Sequence, residues 1–147
     1  RRNSAPFWSV RHFTYVLAQD CFFRLMASFM STVSGTALAN PILRRFGCRI
    51  GQRTLIGLPL QMSDWHAVDI GDDCVVNGQM QLHSFEDRLL TVSRTRIGNG
   101  STINHGTMLM GGAHLDSGVT VDPQSLVLKA MNLEAGIHAG SPTQRIS

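Results

Sequence analysis

The chain of 147 residues is 43% apolar and 16% charged, with a net charge of +3, a balance that fills one core and excludes a disordered polyelectrolyte. The charge is uneven: residues 1–53 hold eight arginines against Asp20 alone (+7), and residues 54–147 hold five bases against nine acids (−4). Twelve of the thirteen bases are arginine, which argues against the lysine-rich tail of a non-specific nucleic-acid binder.

The chain opens Arg1-Arg2-Asn3 with neither Met nor the apolar run of a signal peptide, which predicts a piece of a longer protein. Residues 7–33 predict a helix. Phe22, Leu25, Met26, Phe29, Met30 and Val33 recur at spacings of three and four and make one apolar stripe. Gly35 reads as a stop and Pro41 bars continuation. Arg11, Asp20 and Arg24 interrupt this stretch, so it offers no bilayer span of ~18 apolar residues. Two readings of the stripe stand side by side. It packs on the rest of the domain, or it forms an amphipathic juxtamembrane helix with arginines toward anionic lipid and Phe7, Trp8, Phe13 and Phe22 at the interface.

From about residue 49 an aliphatic residue recurs every six positions. The clearest run is Ile97, Ile103, Leu109, Leu115, Val121, Val127 and Leu133; Ile70, Val76 and Leu82 carry the phase upstream, and Ile50, Ile56 and Met62 carry it loosely. Four places after each member of the long run stand Ser101, Thr107, Ala113, Val119, Ser125, Met131 and Ile137, most of them small. Gly98, Asn104, Asp116 and Asp122 follow the aliphatic residue, where turn-formers belong. A period of six fits neither a helix nor an alternating strand. It predicts an all-β solenoid, a triangular prism in which three six-residue units make one coil. The domains expected are a helical lead over 1–45 and a solenoid over 46–147.

Between Leu82 and Ile97 fifteen residues stand where six would serve, which predicts a loop insertion over 83–95. It carries His83, Glu86, Asp87 and Arg88. A histidine is the usual general base near neutral pH, a carboxylate can set its tautomer, and an arginine can grip an anionic group. The same residues also suit a plain structural ion pair. Asn77 and Asn104 share a unit position that serves a side-chain ladder or a substrate contact. His105 lies two places after an inward residue, and His114 and His138 are expected at corners in structural roles. Cys21, Cys48 and Cys74 lack a CxxC pair and suit neither a disulfide framework nor a zinc site. No Walker loop, GxGxxG or metal spacing appears.

Units such as Ile97-Gly98-Asn99-Gly100-Ser101-Thr102 resemble the hexapeptide repeat of left-handed parallel β-helix acyltransferases. The ordered string "FGCRIG", "DWHAVDIGDDC", "HSFEDR", "TRIGNGS", "SLVLK" and "AGSP" narrows this. It resembles the C-terminal domains of membrane-bound nonribosomal-peptide-synthetase-like enzymes of the ε-poly-lysine-synthetase type. In that family three such domains stand in tandem between transmembrane helices, after adenylation and carrier domains. The resemblance implies aminoacyl transfer from a carrier phosphopantetheine thioester, or an acyl-CoA, to a small amine or amino acid, with no cofactor bound directly and no metal. It implies that His83 acts as base, Glu86 or Asp87 orients it, and Arg88 holds an anionic group. Asp64, His66 and Asn104 are expected at the substrate. The family has an acidic residue where His66 stands, a departure that favours a non-catalytic copy. The groove would lie between prisms, tandem copies or homotrimer mates, at the cytoplasmic face of a bacterial inner membrane or otherwise in the cytoplasm. Two rivals remain: a stand-alone CoA-dependent acetyltransferase, and a scaffold copy in a tandem array.

Overall fold

The computed structural model describes residues 3–6, 8–57 and 64–147, without the side chains of 3–5, 19, 22, 23 and 25–28. Phe7 and Met62, and the side chains of Phe22, Leu25 and Met26, fall outside this set. Strand β1 (Asn3–Pro6) leads into helix α1 (Val10–Val33), whose first turn is capped by the Ser9 hydroxyl accepting from His12 N. Among the described side chains of α1, Met30 and Val33 of the stripe are buried and Phe29 is half exposed, while Val10, Phe13, Val16 and Leu17 face out. Pro41 falls inside a short second helix, α2 (Ala39–Arg45), near its start, where a missing N–H costs nothing. Among the described residues no helix is long and apolar enough to cross a membrane.

The strands follow in sequence: β2 (Arg49–Ile50), β3 (Leu55–Ile56), β4 (Val68–Ile70), β5 (Val75–Val76), β6 (Gln79–Gln81), β7 (His83–Glu86) and β8 (Leu89–Val92). Then come β9 (Thr95–Ile97), β10 (Thr102–Ile103), β11 (Met108–Met110), β12 (His114–Leu115), β13 (Val119–Val121), β14 (Leu126–Val127), β15 (Asn132–Leu133), β16 (Gly136–Gly140) and β17 (Thr143–Arg145). Three parallel sheets form a β-helix: β2-β4-β9-β12-β15, β3-β5-β10-β13-β16, and β6-β11-β14. β17 turns back antiparallel on β16. A step of 18 residues, three units of six, joins one coil to the next, as in Arg96 to His114 to Asn132.

All seven residues of the long aliphatic run are buried in one continuous core. The small position has a physical cause as well. Ser101 and Thr107 are buried at corners, and their hydroxyls donate to the carbonyls of Asp116 (3.1 Å) and Asp122 (3.0 Å), so a polar group inside the prism is satisfied. Three places after each of the first six residues of that run the backbone turns left-handed, at Gly100, Gly106, Gly112, Gly118, Gln124 and Ala130. This is why glycine recurs there.

The period slips in two places. Met80, not Leu82, pairs with Leu109, although both Met80 and Leu82 are buried. At the far end His138 pairs with Val121, a step of 17, so His138 turns inward and Ile137 faces out. His138 therefore lies on β16 and His114 on β12 rather than at corners.

Candidate active site

The coil that holds the insertion is 27 residues long (Asp69 to Arg96), nine more than the 18 of the coil that follows it (Arg96 to His114). The extra residues form a β-hairpin, not an irregular loop. β7 and β8 pair antiparallel around a two-residue turn at Asp87-Arg88. Both turn residues have positive φ (50° and 61°), the conformation of a type I′ hairpin turn. The Ser93 amide donates to the Leu82 carbonyl (3.0 Å) and closes the base. β1 adds to the far edge of β8 and makes a three-stranded antiparallel sheet outside the prism.

This geometry separates the residues that adjacency in sequence had grouped. Asp87 and Arg88 are exposed at the tip, about 13 Å along the strand from His83 at ~3.3 Å per residue. Glu86 stands three places from His83, hence on the opposite face of β7, and its Oε2 accepts from Lys129 Nζ at 2.6 Å.

The carboxylate at His83 is Asp64. His83 Nδ1 and Asp64 Oδ2 are 2.8 Å apart. The Asp64 side chain is fully buried and that of His83 is 25% exposed. In the tautomer that carries its proton on Nδ1, His83 donates to Asp64 and leaves the Nε2 lone pair to accept another proton. Asp64 has left-handed backbone (φ 62°) before the 3₁₀ turn Trp65–Ala67, a conformation aspartate tolerates better than most residues. The Ala67 amide donates back to the Asp64 carbonyl (2.8 Å). Beneath the turn the Cys48 thiol donates to the Trp65 carbonyl (2.9 Å). Burial, with the Asp69 carboxylate nearby, pushes that thiol up to about 12, so it keeps its proton and its bond. Asp64 is thus the carboxylate paired with His83.

Phe85 sits edge-on to His83 (5.4 Å between ring centroids) and to His12 of α1 (5.6 Å), so the lead segment reaches the site. His66 is exposed, and its carbonyl accepts from Arg94 (3.2 Å). Arg94 also lies 3.3 Å from Asp69, which Arg49 and Arg96 approach at 3.8 and 3.7 Å. Three guanidinium groups around one carboxylate leave this flank positive. Asn104 donates its amide to the Val121 carbonyl (3.0 Å), a bond between coils. His105 is exposed in a turn. Among the described residues no three His, Cys, Asp or Glu side chains gather as a metal site.

No protein-family model matches the chain. Galactoside acetyltransferase, solved in complex with coenzyme A, superposes with a TM-score of 0.69 over 99% of this chain and 86% of its own, at 12% identity. A hexapeptide-repeat acetyltransferase from Vibrio cholerae gives 0.68 over 91% and 92%, at 12% identity. A maltose O-acetyltransferase from Clostridium difficile 630 gives 0.62 over 91% and 87%, at 15% identity. The fold is that of the hexapeptide-repeat acyltransferases. In sequence the chain is related to a delta-poly-L-ornithine synthetase of Acinetobacter baumannii (strain AB307-0294), 27% identical over 148 residues and 95% of this chain. It spans 11% of that synthetase's length.

Proposed function

We propose that this hexapeptide-repeat domain is an acyltransferase that forms amide bonds as one module of a poly-amino-acid synthetase. The observation that carries the reading is the His83–Asp64 pair: a partly exposed imidazole held at 2.8 Å by a buried carboxylate. His83 Nε2 takes the proton of an amine as its nitrogen attacks the thioester carbonyl. The tetrahedral intermediate collapses, the C–S bond breaks, and the thiolate leaves with the proton that His83 returns. The imidazolium formed between these steps is stabilised by Asp64.

The thioester is a carrier phosphopantetheine or an acyl-CoA. The coenzyme A in the galactoside acetyltransferase complex supports the shared thiol chemistry, and the synthetase relationship favours the carrier. The acceptor is a small amine or amino acid. Its anionic group is better served by the Arg94 flank than by Arg88 at the hairpin tip. We take the coil to be left-handed, the lead to run over 1–45 and the prism over 46–147, with the groove completed by a homologous prism in tandem or in a trimer. Exposed Trp8, Val10, Phe13 and Leu17, with Arg11 among them, support placing the lead against the cytoplasmic face of a bacterial inner membrane.

The test is His83→Ala in the full-length protein. Product formation from ATP and an amino acid, followed by mass spectrometry, should be lost while adenylation continues. Unchanged product yield refutes the reading. Acetyl-CoA binding by the isolated domain in calorimetry, with acetyl transfer to a small amine, would favour the stand-alone acetyltransferase.

A further inference from the structure

We propose that Lys129 is a positioning residue for the His83 base, acting through Glu86 and Ser84; the inference rests on the acyltransferase reading above. Lys129 is the chain's single lysine. It lies in the corner after β14, and its Nζ donates to Glu86 Oε2 (2.6 Å) and Ser84 Oγ (3.1 Å) across 43 and 45 residues of chain. The lysine side chain is 25% exposed, so most of it has left water, and two of its three donors are used. Its corner is stiff: Ala130 holds left-handed backbone, and its amide donates to the Gly111 carbonyl (3.2 Å).

The hairpin needs such a tie. β7 is the edge strand of the sheet β1-β8-β7, and a hairpin outside a core is marginal by itself. Along β7 the side chains alternate. His83 and Phe85 turn to the site, and Ser84 and Glu86 turn to the lysine. The strand is pinned at its base by Ser93 N to Leu82 O, along β8 by backbone pairing, and on its Ser84–Glu86 face by Lys129. Removing that third tie frees the outer half of β7, and with it the Phe85 edge that abuts the His83 ring. A displacement of ~1 Å at a catalytic group costs up to ~10²-fold.

The experiment uses the full-length protein and the amino acid that the wild type polymerises. K129M should lower kcat about tenfold or more with KM within about threefold, and E86Q should do the same. K129R, which keeps the charge, should stay within about threefold of wild type. The exchanged pair E86K/K129E should exceed K129E alone by about fivefold or more. Amide hydrogen exchange over residues 84–92 should quicken in K129M while the thermal midpoint holds. A K129M enzyme with wild-type kcat, or a loss that the exchanged pair leaves unrelieved, overturns the inference. Full turnover in H83A overturns the base assignment instead.

Discussion

Replacing Asp64 by Asn isolates the charge on which the proposed base depends. Asn is nearly isosteric and tolerates the left-handed backbone at φ 62°, so the 3₁₀ turn should persist. The imidazolium formed during transfer sits 2.8 Å from a buried carboxylate. At an effective dielectric near 20, two unit charges at that separation attract by about 6 kcal/mol. Because His83 is 25% exposed, screening removes roughly half of this, leaving about 3 kcal/mol. At 1.36 kcal/mol per decade, kcat should fall by ~10²-fold. Stability should not fall with it, because neutralising a buried carboxylate also removes its desolvation cost. The assay is product release under saturating substrate, with a thermal melt of the same preparation. A D64N enzyme that folds and turns over within about threefold of wild type refutes the assignment of Asp64 as the partner of the base.

Leu109 is fully buried in the aliphatic column, so Leu109→Ala should cost about 2–5 kcal/mol in urea unfolding. Ala130 holds left-handed backbone at φ 56°, and Ala130→Gly should raise stability by about 1 kcal/mol, seen as a higher thermal midpoint. Burial raises the thiol pKa of Cys48, to about 12, and that of Cys74. Above pH ~9 the unfolded chain therefore loses protons that the fold keeps, and stability should fall by up to about 1.4 kcal/mol per pH unit for each thiol. Urea midpoints at pH 8 and pH 10 check this, and equal midpoints contradict it. Iodoacetamide at pH 8 should label exposed Cys21 ahead of the two buried thiols.

The prism was legible because one burial requirement is repeated at every corner: an aliphatic residue inward, then a turn, then a small residue. Where the structure breaks the period locally, sequence could not follow. Met80 takes the register expected of Leu82 because β6 starts early, and His138 takes an aliphatic slot because the last coil is one residue short. The hairpin was read as a loop because Asp87 and Arg88 form its turn without glycine. Contacts between coils were the larger omission. Asp64 and His83 are 19 residues apart, about one coil, so counting one turn of the prism upstream from His83 points to the carboxylate that adjacency missed. Lys129 had no such signal, because Ser84 and Glu86 lie outside the repeat. In α1 the stripe was real at Met30 and Val33, but apolar residues nearer the start face outward.

The measurement that bears most directly on the account is the fate of the acyl donor in the full-length H83A enzyme supplied with ATP and radiolabelled amino acid. Label should accumulate as an enzyme-bound thioester and fail to enter product, whereas wild type clears it. Clearance into product at the wild-type rate would contradict the claim that His83, held by Asp64, is the base for acyl transfer.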